Sequence, residues 1–397
     1  MLPTRQPSLS KSTFLMGRQC SKLLWFRYNA KDQIPAPDEA QQAVFDQGTE
    51  VGELAQQLFP GGMVVAPGII TPQEVIAQTQ DASRDIEEQI DAMQRVIGAK
   101  AHPEIQIGPQ CDNPYTCALH DRCWSFLPEA SVFTLYRGGQ KGFSLLKRGI
   151  QKLADIPANV ELTDNQAIQR STLLAGQPHI DRSALAAFLG QLEYPISYLD
   201  FETIGTAIPL FDGVSPYQQV PFQYSLHIVH QPGADPEHHS FLADGKEDPR
   251  SKFMQNLREI LPATGSVVAY NAGFETGRLK ECCELLPEHK PWLRKVTPRI
   301  VDLLLPFRGF RYHHPDQNGS NSMKAVLPAL TGKGYEKLAI QEGGAASREF
   351  LRVTFGDVTA AERRRVRRDL EEYCGLDTLG MVQIVDQLNR LTTKQPT

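Results

Sequence analysis

The chain has 397 residues, and 41% hydrophobic with 22% charged residues is the balance of an ordinary soluble globular protein, which excludes wholesale disorder. At roughly 100–200 residues per domain it holds two or three domains. The net charge of −5 excludes a strongly basic nucleic-acid coat but leaves room for a local basic groove. No apolar run approaches the roughly 20 residues of a membrane span, and the N-terminus lacks a signal-peptide core. The chain therefore reads as cytoplasmic. Its odd count of seven cysteines, in a reducing compartment, fits metal binding better than a disulfide framework.

Residues 1–130 read as helical. Ser8–Ser12 caps a predicted helix running through Cys20 to Trp25. Further helices are predicted from Asp38 to Leu58, ended by Pro60-Gly61-Gly62, and from about Pro72 to Ile97. Residues 131–190 read as a helical connector. Within it Phe143–Pro157 weakly resembles a helix–hairpin–helix element turning at Gly149, and a plain helical linker is the preferred reading. From residue 191 the order becomes strand-led. Strands are predicted at Ile196–Phe201, Phe222–Val229, His238–Ala243, Ser266–Tyr270 and Ile300–Leu304. Helices are predicted at Arg250–Leu261, Gly273–Leu286, Ser322–Leu330 and Ala360–Leu391. Meandering strands followed by alternating helix and strand predict an α/β fold, a mixed sheet with flanking helices.

Three acidic motifs follow. In Leu199-Asp200-Phe201-Glu202-Thr203 the strand period puts Asp200 and Glu202 on one face. Paired carboxylates repel unless a cation neutralises them, and Mg²⁺ or Mn²⁺ prefers such oxygen donors. A solvated strand end looks the same. In Asn271-Ala272-Gly273-Phe274-Glu275 the acid falls in the first turn of a helix that follows a buried strand. It sits there either as a ligand or as a complement to the helix dipole. In Tyr373-Cys374-Gly375-Leu376-Asp377 the tyrosine and aspartate lie four apart on one helix face, and Thr359 with Glu362 starts that helix as a capping box.

The order of these motifs from about Tyr194 to Leu391 resembles the DnaQ-like 3′→5′ exonucleases of the ribonuclease H-like fold, in the subclass named for four acids and a tyrosine. The resemblance implies that Asp200, Glu202, Glu275 and Asp377 hold two Mg²⁺ or Mn²⁺ ions and that Tyr373 orients the attacking water. It implies a phosphodiester hydrolase acting on 3′ ends of single-stranded DNA or RNA. The family usually has Asp where this chain has Glu275; Asp302 is the substitute ligand if Glu275 is not one, and a structural role is the commoner reading of such an Asp. Asn271, Phe274, Ser322 and Lys324 are candidate substrate contacts. Ser320 or Ser322 serves equally as a cap for the helix that follows. The arginines at 363–365, 367 and 368 read as a solvated face, with Val366 and Leu370 sharing the side of Tyr373.

Cys111, Cys117 and Cys123 form a compact triplet, with Cys20 far upstream. Four thiolates suit an iron–sulfur cluster or a tetrahedral zinc, and four buried free thiols remain the plain alternative. One early cysteine with a late triplet resembles the cluster-bearing RecB-like nucleases, which implies a [4Fe–4S] cluster, with zinc as the alternative. Bacterial proteins of largely unknown function join such a module to the Leu-Asp-Phe-Glu-Thr domain, and this chain resembles them. It departs from them in having no acid-x-Lys pair before Cys111, so the RecB-like catalytic core is missing and the cysteine clasp is retained. Cys282, Cys283 and Cys374 read as packing residues.

Overall fold

The computed structural model describes residues 8–58 and 85–393. The chain divides into two units, residues 1–129 and 130–397. The predicted stretch from Pro72 to Arg84 and the Pro60-Gly61-Gly62 stop lie outside the described residues.

In the first unit the single predicted N-terminal helix is two helices, Lys11–Gln19 and Ser21–Asn29. Ser10 caps the first through a capping box with Thr13. The break is Cys20, whose extended backbone (φ −154°) cannot continue a helix. Helices Glu39–Leu58 and Ile86–Ile97 follow as expected. Leu23, Phe26, Cys117 and Leu119 form a small buried core here, and Leu24, Met93 and Ile97 form another.

The connector is not a separate body. Its helix Asp164–Ala175 sends Gln169 to the Thr134 carbonyl and Tyr136 amide, and Asn165 to the Arg308 carbonyl. Its short strand β1 (His179–Ile180) pairs antiparallel with β7 (Tyr312–His313). Leu185 and Phe188 of helix Arg182–Leu189 join the main core. The hairpin resemblance is corrected as well. Helix Gln140–Lys147 and the Gly149 turn are present, but a single 3₁₀ turn, Leu153–Asp155, replaces the second helix.

The second unit is a mixed α/β fold, as the strand-led pattern predicts. Its sheet holds β2 (Ile196–Ile204), β3 (Val220–Val229), β4 (Glu237–Leu242), β5 (Val267–Ala269) and β6 (Ile300–Asp302), ordered β4-β3-β2-β5-β6. β3 runs antiparallel to β2 and β4, while β2, β5 and β6 are parallel. β2 alternates between two cores. Leu199 and Phe201 pack with Phe253, Leu257 and Leu279 of the helices on one face. Ile196 and Tyr198 pack on the other face with Val326, Phe350, Leu370 and Ile384. The second face is covered by helices Met323–Thr331, Gly343–Phe355 and the 34-residue Ala360–Thr393. Asp200 and Glu202 share the parity of Tyr198 and therefore face this terminal helix. No helix among the described residues is long and apolar enough to cross a membrane.

One turn fixes the start of β5. Gly265 has φ +80°, and a Cβ there would collide with the Pro195 carbonyl oxygen. Gly265→Ala therefore meets both a left-handed backbone and a backbone clash. The expected loss is on the order of 3 kcal/mol, read as a lowered urea midpoint, and an unchanged midpoint would show that the loop gives way freely.

Candidate functional site

The terminal helix carries the second half of the acidic site. Val366, Leu370 and Tyr373 are buried on one side of it, which turns Cys374 and Asp377 into the interior as well. Thr359 Oγ accepts the Glu362 amide at 3.2 Å, the forward half of the expected cap. Arg363 and Arg367 donate to the carbonyls of Val353 and Ala243, so these two arginines brace the helix.

The four acids occupy one charged neighbourhood. Asp200 is held well above the usual carboxylate range by burial, then by the charges of Asp377, Glu202 and Glu275. Burial and Asp377 push Glu202 up to about 8, with Lys324 and Glu275 acting in opposite senses. Burial raises Asp377 to about 7, against hydrogen bonds from Tyr335 and Tyr373 and the charge of Lys324. Glu202, Glu275 and Asp377 are only 6%, 3% and 5% exposed. Burial and mutual repulsion favour the protonated forms of these carboxylates until a cation replaces the protons.

Glu275 stands in the first turn of helix Gly273–Leu285, as expected. Burial pushes it up to about 8, with the Asp302 charge adding and Arg278 opposing. Its Oε2 is buried without a hydrogen-bond partner. Asp302 has a different job. Its Oδ1 accepts the amides of Asn271 and Leu304, both at 2.9 Å, and pins the turn in which Asn271 adopts φ +70°. One oxygen of Asp302 is thus committed to backbone. A non-glycine residue in that region of φ, beside a cluster of acids, is strain of the kind functional turns hold.

Tyr373 is 4% exposed, and burial followed by the charges of Asp377, Glu202 and Asp200 raises its phenol well above the usual range. Lys324 places its ammonium 5.8 Å from the ring centres of both Tyr373 and Tyr335. Phe274 lies under the Arg278 guanidinium at 5.1 Å. Ser322 precedes helix Met323–Thr331 without capping it through its side chain; its amide and hydroxyl both engage Ser320 instead.

Three further residues lie against these acids, two of them outside any sequence motif. Tyr335 donates its hydroxyl to Asp377 Oδ1 at 2.5 Å. Gly343 leaves room above Glu202: a methyl group on its Cα would stand 3.4 Å from the Glu202 Oε2. Cys374, expected to be packing only, is fully buried with its sulfur 3.9 Å from Asp200 Oδ2. Nothing in the spacing marks Tyr335, which lies in an irregular segment. Cys374 carries a signal in its place between Tyr373 and Asp377.

In the first unit Cys20, Cys111, Cys117 and Cys123 line one small cavity with Lys22 and His120. Gln19 ties the two chain segments together through the carbonyls of Gln110 and Tyr115. The Cys117 thiol pointing at Cys20, with the amides of Leu23 and Lys22, lowers Cys20 to about 6 despite burial. Cys117 itself is raised, first by that bond to Cys20 and then by burial, and burial raises Cys123. Cys282 and Cys283 are buried in the core, as expected for packing residues.

Residues 197–322 match a family described as "Domain of unknown function (DUF2779)". That stretch contains Asp200, Glu202, Asn271, Phe274 and Glu275; Lys324, Tyr373 and Asp377 lie beyond it. The chain is 26% identical over 207 residues to "Uncharacterized protein MG366" of Mycoplasma genitalium, a match covering 47% of this chain and 31% of that protein. It is 24% identical over 208 residues to "Uncharacterized protein UU173" of Ureaplasma parvum, covering 47% of this chain and 30% of that one. The match therefore spans about a third of the length of these curated relatives. No solved structure matches.

The residues fit divalent ions. Their oxygen donors are hard, they are desolvated, and an orphaned Glu275 oxygen faces the same charges.

Proposed function

We propose that the second unit is a divalent-metal-dependent 3′→5′ exonuclease of DnaQ-like type, hydrolysing phosphodiester bonds of single-stranded DNA or RNA. The observation that supports the reading is the close approach of the Asp200 and Glu202 carboxylates on β2, on which the charges of Glu275 and Asp377 also act. A mixed sheet whose first strand is central, flanked by one antiparallel and one parallel neighbour, supports a ribonuclease H-like fold.

In this reading the four carboxylates hold two ions. Bound there, such ions neutralise phosphate charge and lower the pKa of water. The chain's own residues do the rest. Tyr373 keeps its proton near neutral pH, so its hydroxyl positions water by hydrogen bonding rather than acting as a base. Tyr335 holds Asp377 in one rotamer. Lys324 sets a positive charge at the rim, where a phosphate arrives. Asn271, Phe274 and Ser322 line the approach to the 3′-terminal nucleotide. Degradation of a 5′-labelled oligonucleotide with Mn²⁺, lost in Asp200→Ala, is the expected result. Binding without degradation by the wild type would favour a non-catalytic nucleic-acid-binding protein.

The cysteine pocket of the first unit is proposed to hold a [4Fe–4S] cluster as the clasp of a RecB-like module without its catalytic core. The gathering of all four cysteines at one cavity supports a thiolate site, and the resemblance to cluster-bearing nucleases favours the cluster over zinc. Anaerobically purified protein should show broad absorbance in the visible region, lost in Cys20→Ser. Stoichiometric zinc in colourless protein would assign the site to that metal.

A further inference from the structure

Among the described residues, the one group of three or more metal-donor side chains whose ligand atoms lie within 4.8 Å of one another is Asp200, Glu202 and Cys374. Three atoms so placed leave a centre within about 2.8 Å of each, and an adjustment of at most about 0.8 Å reaches metal–ligand distances. The sulfur is held in place from two sides. It lies 3.9 Å from Asp200 Oδ2, and the Ser225 amide opposite Asp200 in β3 points at it. A packing cysteine gains nothing from facing two carboxylates. The Glu275 Oε2, in a side chain 3% exposed whose charge acts on both carboxylates, has no partner of its own.

We propose that Cys374 is a third protein donor to the ion held by Asp200 and Glu202, making this site prefer thiophilic divalent ions such as Co²⁺ or Zn²⁺ over Mg²⁺. The proposal rests on the metal-binding half of the preceding reading. When the ion binds, the S–H bond breaks, its proton leaves to solvent buffer, and a sulfur–metal bond forms with no change of oxidation state. Sulfur is a soft donor among hard oxygens, and softness rather than charge then sets the metal preference.

The test is a Co²⁺ titration of the full chain, followed by sulfur-to-cobalt charge-transfer absorbance in the near ultraviolet. Wild type, Cys374→Ser and Asp200→Asn share the same N-terminal cysteines, so that background is common to all three. An increment present in wild type and lost in both variants is the expected result. Competition of Co²⁺ against Mg²⁺ should also fall by about tenfold in Cys374→Ser. Equal charge-transfer absorbance in all three proteins overturns the proposal. Circular dichroism melts check folding, with Cys374→Ala as the second variant. Oligonucleotide degradation without the increment removes the sulfur ligand and leaves the nuclease; the increment without degradation does the reverse.

Discussion

Asp200→Asn is expected to lower exonuclease turnover by on the order of 10³-fold, about 4 kcal/mol of transition-state stabilisation, while leaving the fold intact. Asp200 is the hub of the acidic neighbourhood, since the charges of Asp377, Glu202 and Glu275 all act on it. The amide keeps the shape and loses the charge, so divalent ions lose their central ligand. Because burial and the neighbouring acids favour the neutral form of Asp200 without metal, the amide adds little burial cost. The variant should melt at or above the wild-type temperature in chelator. A loss of less than tenfold in rate, in a folded variant at saturating Mn²⁺, would remove Asp200 from the chemistry.

The metal-free protein should lose stability as pH rises from about 5 to 8, and Mn²⁺ should restore it. Glu202 and Glu275 ionise near 4.5 when unfolded and near 8 when folded, burial being the first cause in both. Between those limits the folded state holds protons that the unfolded state has released, so stability falls with pH. The cost is absent below the unfolded value and complete above the folded one. With one pKa unit worth 1.36 kcal/mol, a total loss on the order of 3 kcal/mol is reasonable for groups that relax and gain water. Thermal melts in chelator at several pH values read it directly. Added Mn²⁺ should raise the melting temperature more at pH 8 than at pH 5, because binding then has fewer protons to displace. A chelated protein whose stability is flat over this range would show that the acids are not desolvated together.

Much of this site is legible in the sequence because its motifs sit on regular elements. Period two puts Asp200 and Glu202 on one face of β2, and period 3.6 puts Tyr373 and Asp377 on one face of the terminal helix. The bridging of those faces is tertiary, but a recurring order of motifs carries it. Tyr335 is invisible to such reasoning because an irregular segment has no period to read. Helix Gly343–Phe355 is hard to see because Gly343-Gly344 reads as a loop; its Ala346, Phe350 and Val353 stripe is the available signal. The break at Cys20 is hidden because no proline or glycine marks it, and the cysteine's partners lie some ninety positions away in the triplet. Composition alone sets the connector apart, whereas its Gln169 and β1 contacts tie it into the second unit.

The most direct measurement is an anomalous difference map from crystals of the full chain soaked in Mn²⁺ above pH 7.5. The expected result is density within bonding distance of Asp200, Glu202 and Cys374, with a second ion toward Asp377 and Glu275. A saturating soak with no peak within bonding distance of Asp200, in crystals that bind Mn²⁺ elsewhere, would contradict it.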